Sequence, residues 1–131
     1  QAISSKFLLN KSHIKKIISL SLLAKREKTM LSKKLEIDIL LRFAGTTQIN
    51  YAIENVGLNP KTSFCLVAIG KKNLLEKLYT DINNNINKIP LRADNSRFLK
   101  KYFHISKEQI NSIDSNFSLE DLLVEKSSIL T

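Results

Sequence analysis

An α+β fold, a small mixed sheet covered by several helices in one domain over residues 1–131, is the reading that three observations support. The run Ser63 to Ile69 is apolar at alternate and adjacent positions, as a strand buried on both faces is. Most of the remaining apolar residues recur at three- and four-residue intervals, the period of a helix face. The segment Gln1 to Leu9 alternates enough to supply a second strand.

The elements follow in order. Asn10 or Ser12 caps a first helix whose apolar face is Ile14, Ile17, Ile18, Leu22 and Leu23, with Lys11, Lys15, Lys16, Lys25 and Arg26 around it. Ser32 caps a second, Lys33 to Ala44, which is apolar almost all round and is expected at the centre of the core. Gly45 ends it, because glycine enters the left-handed terminal conformation without steric cost. Thr46 caps a third helix with Ile49, Ala52, Ile53 and Val56 on one face, and Gly57 and Pro60 stop it.

After the Ser63 to Ile69 strand comes an amphipathic helix from Lys72 to about Asn83, presenting Leu74, Leu75, Leu78, Tyr79 and Ile82. Asn83-Asn84-Asn85 turns the chain, and Ile86 to Leu91 reads as an edge strand, since Pro90 removes a ladder donor. Three short helices follow, at about Ser96 to Phe103, Lys107 to Ile113 and Leu119 to Leu130. Ser118 caps the last, and Glu120 and Asp121 suit its positive N-terminal end.

Composition narrows the function. The net charge is +9, distributed unevenly: residues 1–50 hold ten Lys or Arg against three acids, and residues 101–131 hold three against five. Such asymmetry fits one surface that meets a polyanion and another that meets something else, although a uniformly basic soluble protein has the same total. The longest apolar stretch, Leu35 to Ala44, is interrupted by Glu36, Asp38 and Arg42 and falls short of the roughly 20 residues a membrane span needs. The polar opening lacks the pattern of a signal peptide, and the single cysteine, Cys65, has no disulfide partner within the chain, so a cytoplasmic setting is expected. Cys65 lies inside the apolar strand and reads as a small buried hydrophobe.

Catalytic and cofactor motifs are not in evidence. The three glycines form no phosphate loop, and the two histidines, His13 and His104, have no ligand-spaced Cys or carboxylate. His13 reads as a surface or capping residue. No catalytic residue, metal, cofactor or small-molecule substrate is expected, and the chain is not read as an enzyme. Two features remain. At Arg42-Phe43-Ala44-Gly45-Thr46-Thr47-Gln48 a buried helix ends and another begins, and its first N–H groups would suit a phosphate. A well-capped helix–turn–helix connection accounts for the same residues. The last helix has a broad apolar face, through Leu119, Leu122 and Leu123, that can pack at home or dock elsewhere.

The run from Leu35 to Leu58 resembles the signature of the kinase-binding accessory subunit of the KEOPS complex, the PRPK-binding protein family, in its archaeal type. Its landmarks here are an acidic residue early in an apolar helix, then Ala44-Gly45, Gln48-Ile49, Ala52-Ile53 and Gly57-Leu58. Ser118 to Lys126 resembles the family's last helix, and Gln1-Ala2-Ile3 with His13-Ile14 resembles its beginning after the first strand, a strand expected to be missing from this sequence. Departures fall at Thr47, where a basic residue is common, and at Ser127-Ser128, where a more apolar pair is usual.

The resemblance implies a non-catalytic subunit that binds the small kinase or ATPase subunit of KEOPS and recruits tRNA by its single-stranded 3′ CCA end. The complex installs threonylcarbamoyladenosine next to the anticodon. Combined with the charge split and the junction, it points to Lys33, Lys34, Arg42, Thr46 and Gln48 as RNA contacts, with Lys25 and Arg26 outside them. Leu119, Leu122, Leu123 and Lys126 are the expected partner-binding residues. The competing expectation is a general basic RNA-binding or ribosome-associated domain.

Overall fold

A computed structural model describes residues 1–85, 94–111 and 118–131. Its elements run β1 (Ala2–Ser4), a 3-10 turn (Ser5–Phe7), α1 (Lys11–Glu27), α2 (Leu35–Ala44), α3 (Ile49–Val56), β2 (Phe64–Leu66), α4 (Lys72–Asn83), α5 (Ser96–Tyr102), α6 (Lys107–Asn111) and α7 (Leu119–Ser128). This is the α+β arrangement expected. The strand assigned to Ile86–Leu91, and the end of the helix assigned to Lys107–Ile113, lie outside the described residues.

β1 and β2 pair antiparallel, with Ile3 opposite Cys65. The pairing extends one residue further, because the amide of Val67 donates to the Gln1 carbonyl at 2.8 Å and the Gln1 amino group donates to the Val67 carbonyl at 2.7 Å. Among the described residues the strand is shorter and more open than Ser63 to Ile69 suggested: Phe64 and Leu66 are exposed and Cys65 is half-buried. With a single described neighbouring strand, β2 lacks the two-sided cover that its apolar composition implied.

The core is built mainly from helices, with Ile3 of β1 and Phe7 and Leu8 beside them. Ile39, Leu40, Leu41, Phe43 and Ala44 of α2 are all buried, and Ile17 of α1, Ala52 and Val56 of α3, Leu99 of α5 and Leu123 of α7 close around them. α2 is thus the central helix, as its all-round apolar sequence required. It begins at Leu35 rather than Lys33, because Ser32 does not cap it. The Ser32 hydroxyl instead accepts from the Lys34 amide at 3.4 Å, in a bend before the helix. Gly45 ends α2 in the left-handed conformation at φ 64°, and a Cβ there would stand 2.5 Å from Cε1 of Phe103. Backbone and packing both require glycine at this turn.

α1 is rotated relative to the face its large residues suggested. Asn10 caps it by accepting from the His13 amide at 2.8 Å, and the buried positions are His13, Ile17, Ser21 and Ala24. Leu22 and Leu23, expected inside, are each 41% exposed. Small side chains at positions 21 and 24 let two helices approach closely, and larger residues cannot take that contact line. Ile14 and Leu20 pack at its margin.

α4 is amphipathic in sequence but contributes no buried residue. Its apolar side therefore does not join the described core.

The Ser21 hydroxyl is fully buried and has no hydrogen-bond partner. An unmade hydrogen bond at a buried hydroxyl costs about 1–3 kcal/mol. Ser21→Ala removes it with little change of volume, so thermal or denaturant unfolding should show a gain of about 1 kcal/mol.

Candidate functional site

Asp38 and Arg42 are one turn apart on α2 and both lie in the interior, at 0% and 6% exposure. Arg42 Nε donates to Asp38 Oδ2 at 2.8 Å, and Nη2 donates to Oδ1 at 3.4 Å. Its Nη1 donates to the Ser127 carbonyl of α7 at 3.0 Å, and the Ser127 hydroxyl donates back to the Arg42 carbonyl at 2.9 Å. Asp38 Oδ1 also accepts from the Leu31 amide at 2.7 Å. The pair therefore joins three segments: α2, the loop after α1 and the last turn of α7.

Arg42, expected among the RNA contacts, has its guanidinium engaged inside the fold. A charge in an apolar helix that packs on all sides must find its partner inside, and Arg42 does so on Asp38 and Ser127. The sequence did carry the signal, an acid and a base at i and i+4 within an otherwise apolar helix, although it did not reveal Ser127. That serine, one of the two departures from an apolar pair, is buried because its hydroxyl and carbonyl complete the Arg42 network.

Arg42 also forms part of the lining of an open cleft of about 490 Å³. Thr29, Met30 and Leu31 of the α1–α2 loop, Thr47 of the α2–α3 junction, and Ser128, Leu130 and Thr131 at the end of the chain complete the lining. The junction singled out from sequence and the end of the last helix thus meet in one place. Thr46 is half-exposed, and its hydroxyl accepts from the Gln48 amide at 3.1 Å, closing the turn. Gln48, rather than Thr46, holds the position before α3, and its side chain is exposed and makes no cap. Lys33 and Lys34 are exposed on the loop that leads into α2, and Lys25 and Arg26 are exposed in the last turn of α1. Thr29 and Thr131 carried no recognisable signal in sequence, because only the fold brings them together.

The predicted partner-binding residues fall differently. Leu123 is in the core, and Leu119, Leu122 and Lys126 are half-buried, with both leucines packed against that core. α7 is held onto α1 by its acids: Lys16 Nζ lies 2.5 Å from Glu120 Oε2 and 3.6 Å from Asp121 Oδ1, and the Ser12 hydroxyl donates to Glu120 at 2.9 Å. The Lys16 hydrogen bond holds the Glu120 carboxyl below its usual range. Ser118 and Asp121 form the reciprocal capping box at the helix start. The apolar residue that α7 does offer to solvent is Ile129, 70% exposed just past its end.

His13, read as a surface or capping residue, is buried beneath this α1–α7 contact at 3% exposure. Its Nδ1 accepts from the Leu9 amide at 3.2 Å, and its ring meets Phe43 edge-on at 5.5 Å. Burial lowers its pKa to about 4, against a smaller opposing pull from Glu120. Among the described residues no group of His, Cys, Asp and Glu is placed to hold a metal ion. No helix among them is long and apolar enough to cross a membrane.

These features define a small α+β protein with a hydroxyl-lined cleft, built where an internal ion pair joins three segments and flanked in the chain by exposed lysines. The chain belongs to the CGI-121 family: the family model described as kinase binding protein CGI-121 matches residues 1–129. That is the family whose resemblance the sequence carried. No curated protein gives a significant match.

Two outcomes follow from the site. Arg42→Ala leaves the Asp38 carboxylate buried without its cation, a change that costs about 3–5 kcal/mol; chemical denaturation should show a loss of that order. Acid should also act through His13, whose pKa is about 4 folded and roughly 6.5 unfolded. The unfolded chain binds the extra proton between those values, so stability is complete above about 6.5 and falls as pH drops toward 4, by about 3 kcal/mol. Glu120, with its depressed pKa, extends the loss below that window. A His13→Gln variant should show a flatter dependence of melting temperature on pH between 6.5 and 4.

Proposed function

We propose that this chain is the non-catalytic, cytoplasmic kinase-binding subunit of the KEOPS tRNA threonylcarbamoyladenosine complex, folded as one domain, and that it recruits tRNA by the 3′ CCA end. The family match carries the kinase-binding half of this reading. The RNA half is supported by the convergence at Arg42: an open cleft with threonine and serine hydroxyls, lined on one side by the loop that goes on to Lys33 and Lys34 and on another by Thr47 of the turn before α3. A single-stranded nucleic-acid end needs hydrogen-bond donors for its riboses and phosphates and cations along its approach. In this arrangement the Asp38–Arg42 pair positions the cleft walls, Arg42 through Ser127 and Asp38 through the Leu31 amide, while Lys33, Lys34, Gln48 and the hydroxyls meet the RNA. Lys25 and Arg26, at the end of α1, serve the outer phosphates.

The kinase contact must use what α7 leaves outside. With Leu123 in the core and Leu119 and Leu122 packed against it, the last turn, with Ile129, is the available apolar anchor. A docked partner would then stand directly beside the cleft, since Leu130 and Thr131 line it.

Two measurements test the two halves. Titration with tRNA, compared with the same tRNA lacking its terminal CCA, should show a large loss of affinity on trimming, and Lys33→Ala with Lys34→Ala should weaken both and flatten the salt dependence. Equal affinity for the two tRNAs would leave a general basic RNA-binding domain. Ile129→Asp should reduce co-purification with the kinase subunit at unchanged thermal stability; undiminished recovery of the complex would remove the end of α7 from the interface.

A further inference from the structure

Three aromatic rings, none of which lines the cleft, form a row between α3 and α5. Phe98 and Tyr102, one turn apart on α5, have centroids 6.1 Å apart and planes inclined at 26°. Tyr51 of α3 continues the row, 6.5 Å from Tyr102 at 34°. The rings are braced from the interior. Phe7, itself buried, meets Tyr102 edge-on at 4.7 Å and Phe98 edge-on at 5.3 Å, and Phe103 meets Tyr102 edge-on at 4.9 Å. The two ends of the row remain open, with Phe98 36% and Tyr51 47% exposed. Rings fixed by packing and left partly in water offer π surface to a ligand at little further cost in side-chain entropy.

Cations accompany the row. The Lys6 ammonium lies 6.0 Å from the Phe98 centroid. Arg97 and Lys101 are exposed on α5, each one position before a ring of the row. Residues four apart share a helix face, so the two cations form a stripe beside the two rings. α3 carries one acid, Glu54, and no cation, which puts the positive side of the surface on α5. An apolar protein surface laid over this site would desolvate the cations without supplying counter-charge. A polyanion with flat, stackable bases satisfies rings and cations together.

We propose that α5 and Tyr51 form a second contact surface for single-stranded RNA, separate from the cleft at Arg42. An unpaired base stacks on Phe98 or Tyr51, and Arg97 and Lys101 hold the adjoining phosphates. The proposal rests on the RNA-binding reading but not on recognition of a CCA end, so its test uses RNA without one.

The chain has no tryptophan and three tyrosines, two of them in the row. Its intrinsic tyrosine emission therefore reads stacking directly. Titrating the full chain with a ten-nucleotide oligouridine should quench that emission to saturation. An abasic strand of equal length and charge should bind about tenfold more weakly and quench less, because stacking contributes about that factor per base. Tyr51→Leu with Phe98→Leu should lose a similar factor for oligouridine at matched far-UV circular dichroism. Arg97→Ala with Lys101→Ala, which touches no packed ring, should lower the slope of log affinity against log salt by about 1.4, two phosphate contacts at roughly 0.7 each for a single strand.

Equal binding of oligouridine and abasic strand, with no effect of the leucine variants, would overturn the stacking surface while leaving RNA binding elsewhere intact. An aromatic row that is a protein-docking site would give this same result. If neither oligouridine nor tRNA bound at all, the RNA reading itself would fall, and this surface with it.

Discussion

The pair formed by Asp38 and Arg42 constrains the rest of the molecule because neither charge can be left alone where it stands. Both sit on the central helix, in an interior where an isolated ion is strongly disfavoured. The carboxylate takes the guanidinium on one side and the Leu31 amide on the other. The guanidinium in turn takes the Ser127 carbonyl. Each of these bonds fixes a different piece of chain: the irregular loop after α1 in one case, the last turn of α7 in the other. Directional hydrogen bonds from a planar guanidinium set position more tightly than apolar contact does. The cleft beside Arg42 exists because these segments are pinned at a fixed distance from one another.

A second constraint is the contact line between α1 and α2. Ser21 and Ala24 let the helices come close, and α7 then fits against both, locked by Lys16 on Glu120 and Asp121. Close approach is what buries His13 against Phe43. It also turns Leu22 and Leu23 outward, so the chain gives up two apolar side chains to solvent in exchange for a tighter interface. Scattered exposed leucines are ordinary on a protein surface, and nothing further has to be inferred from this pair.

How far the structure could be read in advance depends on the kind of information each feature needs. α2 was legible because an all-round apolar helix of ten residues has one place to go, and its stop at Gly45 because the left-handed cap is a local matter. Ser118 was legible for the same reason, since a capping box is written within four residues. The face of α1 was not, because hydrophobic periodicity weights large side chains, while helix packing here selects small ones. The place of Arg42 was half-legible: an i, i+4 ion pair on an apolar helix is visible, but its third partner lies 85 residues away. The cleft was legible on one side alone. Thr47 stood in a junction the sequence singled out, but Thr29 and Thr131 are unremarkable residues in distant segments, and only the closure of the fold makes the three neighbours.

The placement of α7 decides how the proposed partners can be arranged. A helix whose leucines lay free could bind a kinase anywhere along its length and act as an independent arm. α7 has Leu123 in the core, Ser127 bonded to Arg42, and its first turn tied to α1, so it cannot detach without exposing that core and stranding the Asp38–Arg42 pair. Docking is thereby confined to its solvent side and to the residues after Ser128. Those residues also form one wall of the cleft. On the proposed reading, protein partner and RNA end would meet across four residues of backbone, Ser128 to Thr131, held from beneath by the same arginine. A contact that shifts this wall shifts the cleft, and thermodynamic linkage then requires occupancy of the cleft to be felt at the partner's contact in equal measure.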